Sequence, residues 1–444
     1  MSTTAHLLYS SLAHPALVRG RFRALISGRR LPPGKLLGID VLERADRRLL
    51  LDQAGRHGPV FKVIAYDQLW ICVIGLAHGR RLLLEHKDSL RPVTMQLKPL
   101  IPAGFMRQMQ AQTHRRYRRA LTHALVNVDK YFATAIMDSI ASQALSQYAS
   151  EDGAEPALHR ASPAQSYMAT LQTIATGMLI CYFFGAHPGS DFYDQLRQGY
   201  RELGPHGLVW NIGERQLRAF AQIRDCLLGH CALPPTPHGD HGDSVLMRLH
   251  RDGELDDTML GNLIYMVEMG RYDTSALFRW LSKYAANHPD WSERIAIEPV
   301  DAPVIGKAFV FETLRMDQSE RLLREVQRDL VFEGFLLPKG SMLRICLWES
   351  HKSGEAFAQP FEFRPERFLH EQFSADQYSP FGLDQHQCPL SGFAIRTALA
   401  FVQCLVRNYT VQACHDGAPI RGGYHWEPAA DFSLQLRQRQ ELMR

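Results

Sequence analysis

A turn-rich stretch at 378–390, Tyr-Ser-Pro-Phe-Gly-Leu-Asp-Gln-His-Gln-Cys-Pro-Leu, delivers one cysteine, Cys388, to the head of an apolar helix expected over 393–409. A thiolate at that point is stabilised by the unpaired N–H groups and the positive dipole end of the helix. Such a sulfur is a ready nucleophile or metal ligand. By default a lone cysteine in a loop is simply a buried core residue, so the weight falls on what else the chain carries.

Two other stretches carry it. Glu312-Thr313-Leu314-Arg315 lies in a helix expected over 303–315, where Glu312 and Arg315 share one face and can pair. Phe363-Arg364-Pro365-Glu366-Arg367-Phe368 follows, and then the cysteine loop. In this order and spacing the three resemble the E-x-x-R helix, P-E-R-F segment and cysteine loop of the cytochrome P450 superfamily of haem-thiolate enzymes. The resemblance runs over roughly residues 55–410. It implies a mostly α fold with small β-sheets, the cytochrome P450 fold, as a single large domain: an N-terminal segment over 1–40 and the catalytic domain over 41–444.

The resemblance also implies haem b (iron protoporphyrin IX) with Cys388 as axial iron ligand, and Phe381 and Gly270 against the cofactor. Glu312, Arg315 and Arg367 become a structural triad supporting the loop. The loop departs from the family's F-x-x-G-x-R-x-C-x-G: Asp384 stands for the first Gly, His386 for the Arg and Leu390 for the last Gly. His386 is thus expected to hold a haem propionate, with a charge only below a pKa near 6.5.

The basic, Pro-punctuated residues 1–40 suggest no chemistry. A helix is expected over 41–54, then two strands, 59–64 and 69–74, about a turn at Tyr66-Asp67. A helix over 79–85 precedes an irregular stretch, 89–106, and such stretches inside compact domains are usually functional. In the family it roofs the substrate pocket, and Met95, Leu97, Leu100, Ile101 and Phe105 imply an at least partly apolar substrate. His114 and Arg118 are four apart and so share a helical face. They resemble the H-x-x-x-R pair that holds propionates, while Arg115, Arg116 and Arg119 read as a solvated face.

Helices are expected over 129–150, 162–185, 191–203 and 213–230. In the family the last two form a lid, with Pro205, His206, Leu208, Val209 and Trp210 in their connection. Residues 257–288 read as one helix of roughly 48 Å. Its centre, Gly270-Arg271-Tyr272-Asp273-Thr274-Ser275, resembles the family's oxygen-activating motif, which makes Asp273 and Thr274 the catalytic pair. Arg271 replaces a small residue and has three open fates: solvent, an anionic substrate group, or an ion pair with Glu268 or Asp273. Arg324 is expected as a further propionate donor, with Arg321 and Arg328 as rivals. A hairpin over 331–340, a strand over 342–347 and terminal strands over 411–436 complete the chain.

The net charge of +4 is spread along the sequence without a basic run suited to nucleic acid. Eight cysteines show no paired spacing and nothing resembles a secretory signal, which suits reduced thiols in a cytoplasm. His230, Cys231, His238 and His241 lack recognised zinc-ligand spacing. The stretch 161–190 has no charged residue, yet its Gln, Ser and Thr suit a buried helix, so no transmembrane anchor is expected. The implied reaction inserts one oxygen atom from O2 into a small organic substrate, in specialised metabolism, with electrons from a ferredoxin or flavodoxin and its reductase. Peroxide-dependent, isomerising, dehydrating or oxidative-coupling chemistry on the same scaffold is the rival. A non-catalytic haem or ligand-binding protein is the third reading.

Overall fold

Residues rich in Val, Ile and aromatics form the strands where expected: Val60–Ala65 (β2) and Gln68–Ile74 (β3) pair antiparallel, and Leu36–Leu37 (β1) pairs parallel to β2. Tyr66 and Asp67 adopt φ of 47° and 57°, the left-handed pair that a two-residue hairpin turn requires. The computed structural model describes residues 14–93, 97–129, 134–152, 162–204, 212–233, 244–318, 320–383, 385, 387–422 and 425–439. Two compact units interleave along the sequence, one from 1–94, 314–388 and 423–425, the other from 95–313, 389–422 and 426–444.

The first unit is built on a six-stranded sheet. Leu90–Pro92 (β4), Arg321–Val326 (β5) and Met342–Cys346 (β8) join the hairpin in the order β1-β2-β3-β8-β5-β4. Leu330–Phe332 (β6) and Phe335–Leu337 (β7) form a separate hairpin. Val60, Ile71, Val73, Leu343 and Ile345 are buried with Leu82 and Leu83 of the helix Leu76–Glu85. The helix Pro15–Ile26 (α1) buries Leu17 and lays Gly20 against Leu69 of β3. The described part of the 1–40 segment is therefore built into this unit.

Two expectations are corrected here. The helix foreseen over 41–54 is two helices, Ile39–Ala45 and Leu49–His57. Asp46 is extended, and its carboxylate accepts the Arg48 N–H (2.8 Å), a local bond that competes with helix continuation. The stretch foreseen as irregular from 89 begins as β4, pairing Leu90 with Val326.

The second unit is helical. Leu76–Glu85 of the first unit is α2; the second contributes Ala111–Asp129 (α3), Pro163–Phe184 (α4), Asp191–Glu202 (α5) and Glu214–Cys231 (α6). Asp257–Asn287 (α7), Val304–Thr313 (α8) and Ser391–Asn408 (α9) follow. A reciprocal Ser162–Gln165 capping box starts α4 and Gly185, left-handed at φ 71°, stops it. Among the described residues α4 is the one helix long and apolar enough to cross a membrane, and most of it is buried inside this unit. The 31-residue α7 is buried along nearly its whole length, with Phe278 stacked on Phe401 of α9 at 4.3 Å. Tyr409–Cys414 (β9) and Ser433–Gln438 (β12) pair antiparallel, as do Ile420–Arg421 (β10) and Trp426–Glu427 (β11).

Candidate functional site

In the first unit the described stretch from 351 to 388 holds one short helix, Arg367–His370, and no strand. Its backbone groups must therefore be satisfied by other means. At its end the Cys388 N–H donates to the Phe381 carbonyl (2.9 Å), closing the loop on itself. Gly382 turns that loop at φ 106°, a conformation open to glycine. Cys388 is half-buried and makes no disulfide. Asp384 and His386 lie outside the described residues, so the expected propionate role of His386 is not addressed by the structure.

The residues that brace this loop belong to no motif. Arg80 of α2 donates to the carbonyls of Leu383 (3.0 Å) and Ala375 (2.8 Å) and pairs with Asp376 (2.7 Å). By sequence it is one more helical arginine. Next to it, a Cβ on Gly79 would lie 2.6 Å from Ile345 and 3.1 Å from Leu383, so the missing side chain lets α2 pass between sheet and loop. His351 is fully buried and its Nε2 accepts the Ser379 N–H (3.1 Å). Burial, with Lys352 and Arg315 nearby, pushes its pKa well below the usual histidine value. The ring is thus neutral with its proton on Nδ1, which has no hydrogen-bond partner among the described residues.

Arg315 is the hub of the same segment. Nη1 donates to the carbonyls of His351 (2.9 Å) and Pro360 (2.7 Å), and Nη2 to that of Glu362 (3.2 Å). Its guanidinium stands 4.9 Å over the Phe357 ring. Arg367 shares that ring (5.9 Å) and the Glu362 carbonyl (3.5 Å), and adds the Ala358 carbonyl (3.0 Å). The first unit therefore brings together two members of the expected triad. Glu312, fully buried, ends α8 in the second unit, while Arg315 falls in a π-helical turn, Leu314–Gln318.

Of the three candidate arginines after that turn, Arg324 is the buried one. Arg321 sits 3.6 Å from Glu320, and Arg328 donates to Ser89 Oγ (2.6 Å). In the second unit His114 is buried and Arg118 half-buried on α3, while Arg115, Arg116 and Arg119 are exposed, as the spacing foretold.

On α7, Asp273 and Thr274 are half-buried. A Cβ on Gly270 would stand 3.3 Å from Leu179 of α4, a close helix-to-helix approach. Arg271 takes the ion-pair fate, binding Glu268 through Nε (2.7 Å) and Nη2 (3.1 Å), with Nη2 also donating to the Gly204 carbonyl (2.5 Å). On the neighbouring residue the Tyr272 hydroxyl donates to Glu427 (2.9 Å). Leu97, Ile101 and Phe105 are buried. Phe105 meets Tyr265 of α7 edge-on at 4.7 Å, and the Met106 N–H donates to Asn262 Oδ1 (2.7 Å). Met95, the connection 205–211, His238 and His241 lie outside the described residues.

Cys181 and Cys404 have the character of core residues: burial pushes Cys181 up to about 12 and Cys404 up to about 11. Among the described residues no cluster of three or more His, Cys, Asp or Glu could hold a metal ion. A single soft sulfur on a braced loop suits an iron that brings its other ligands in a macrocycle. Buried Arg324, in the same unit as Cys388, suits that group's carboxylates. The residues present fit haem.

Comparison with known proteins gives one family model, "Cytochrome P450", matching residues 304–422. Cytochrome P450 3A5 of Homo sapiens is 29% identical over 171 residues, 34% of this chain and 34% of that protein. Putative cytochrome P450 137 of Mycobacterium tuberculosis is 28% identical over 233 residues, 50% of this chain and 48% of that one. The matches thus span between a third and a half of these relatives' length. Among solved structures, retinoic acid-bound cyanobacterial CYP120A1 superposes with a TM-score of 0.72 at 19% identity, covering 93% of this chain and 100% of that one.

Proposed function

We propose that this chain, whose residues 304–422 match the cytochrome P450 family model, is a haem-thiolate monooxygenase of that superfamily with Cys388 as the thiolate ligand of haem b. The observation that carries the reading is the Cys388 loop, closed by the bond from Cys388 N–H to Phe381 O inside the segment that matches the family model. Haem bound through a thiolate supplies O2 activation and transfer of one oxygen atom to a C–H bond or other acceptor.

The protein's part is positional and electrostatic. Cys388 gives its thiolate sulfur, and the carbonyl of Phe381 fixes the direction in which that residue points. Arg80 and His351 hold the chain before it, so the sulfur arrives preorganised rather than on a slack loop. Arg324, His114 and Arg118 pair with the propionates. Thr274 holds a water or oxygen atom at Oγ1, and Asp273 passes protons to that hydroxyl from solvent. Leu97, Ile101 and Phe105 face a small, at least partly apolar substrate and keep bulk water out. Glu312, Arg315 and Arg367 act structurally.

Electrons come from a ferredoxin or flavodoxin with its reductase, in the cytoplasm. The acid–alcohol pair Asp273-Thr274 favours O2-dependent chemistry over the peroxide-dependent, isomerising or dehydrating alternatives. The test is the spectrum of the reduced, CO-bound protein. Wild type should show the strongly red-shifted Soret band of thiolate-ligated haem, Cys388→Ala should abolish it, and Cys404→Ala should keep it. Survival of the band in Cys388→Ala overturns the assignment.

A further inference from the structure

A buried arginine on a core helix is costly unless every donor finds an acceptor. Arg271 spends only part of its fork on Glu268; the rest reaches across to a carbonyl just past the end of another helix. That carbonyl belongs to Gly204, which follows α5 at φ 90° and whose own N–H returns to Arg201 O (3.0 Å). Carbonyls at a helix's carboxyl end lack intrahelical donors and gather its negative dipole charge. Here side chains from other helices supply the donors: Gln216 of α6 for Leu203 O (3.3 Å) and Arg271 of α7 for Gly204 O (2.5 Å). Tyr200 adds a second α5–α7 link, its hydroxyl donating to Ile264 O (3.1 Å) and its ring 6.0 Å from the guanidinium.

We infer that Arg271 is a positioning residue, a carboxyl-terminal cap for α5 supplied by α7, which locks the end of α5 to the turn that carries Asp273 and Thr274. The inference rests on the proposed oxygen chemistry of that turn. Arginine is needed because one planar fork can serve the Glu268 carboxylate and the Gly204 carbonyl together. A lysine at 271 still pairs with Glu268 but has a single ammonium to offer, so it separates the tether from the ion pair.

The experiment uses holoprotein of the wild type, Arg271→Lys and Glu268→Gln. Amide hydrogen exchange is followed over 197–204, and 4-phenylimidazole or cyanide binding to ferric haem is timed by the Soret shift. In Arg271→Lys, exchange over 201–204 should quicken about ten-fold or more, as loss of a charge-assisted bond implies. 4-Phenylimidazole, which needs room beside the Asp273-Thr274 turn, should bind and leave several-fold faster, with cyanide unchanged. Glu268→Gln keeps the Gly204 bond and should stay within about two-fold of wild type in exchange. Unchanged exchange in Arg271→Lys overturns the cap. Equal loosening in Glu268→Gln overturns it too, since the ion pair alone would then be responsible. Quickened exchange with unaltered phenylimidazole kinetics overturns the link to the oxygen-handling turn. A wild type without the thiolate CO band counts against the proposed function, and the exchange result then judges the cap by itself.

Discussion

Replacing Arg315 by Ala is the severest single change available to the first unit. The side chain is fully buried, and three backbone carbonyls, those of His351, Pro360 and Glu362, accept from its guanidinium, the last also taking a longer bond from Arg367. None of the three lies in a helix or strand that could recruit another donor. At roughly 1.5–3 kcal/mol for each hydrogen bond to a charged group, the loss approaches 5–9 kcal/mol, comparable with a typical stability of about 5–15 kcal/mol. Arg315→Lys keeps the charge but one ammonium cannot span three carbonyls, so an intermediate loss is expected. The assay is the urea midpoint together with the ratio of haem to protein and limited proteolysis within 351–390. Arg315→Ala should be mostly haem-free and cut within that segment. A midpoint and haem content close to wild type would refute it, because the three carbonyls would then need no guanidinium.

Burial, with Arg21 and Lys35 nearby, lowers Lys62 to about 8. The unfolded chain holds that proton up to the ordinary lysine value, so wild-type stability should rise between about pH 8 and 10.5. Lys62→Met should flatten that rise and gain about 1 kcal/mol at pH 7, discounted for partial exposure and the lost bond to the Pro32 carbonyl, as read by urea unfolding across pH. His351, neutral in the fold, works in acid: below about pH 6.5 the unfolded chain takes up a proton that the folded one refuses, so stability is lost as pH falls. His351→Phe should cost about 1–3 kcal/mol at neutral pH by stranding the Ser379 N–H, and should show a shallower acid limb in the same titration. Equal acid limbs in the two proteins would sink that account.

Where local chemistry decides, the sequence was readable. The hairpin about Tyr66-Asp67 and the 257–288 helix stand within a residue or two of their expected bounds, because alternation and helical periodicity are written in neighbouring residues. Partners distant in sequence were not readable. β4 exists through pairing with β5 more than two hundred residues on, and Arg80 looks like a solvated helical cation until Ala375 and Leu383 are placed beside it. The fate of Arg271 likewise turned on Gly204, which no spacing rule could bring to α7.

The sheet order has a consequence for how this protein is made. β3 pairs with β8 in parallel register, Trp70 opposite Met342, so a Val- and Ile-containing strand leaves the ribosome with its partner some 270 residues behind. At about 5–20 residues per second, that edge stays open for roughly 15–50 seconds in every round of translation. An unpaired apolar edge of that kind is a template for pairing with other nascent chains. Soluble yield should therefore depend on how fast ribosomes traverse the codons between β3 and β8, and on chaperones occupying the β3 edge meanwhile, as much as on the stability of the finished fold.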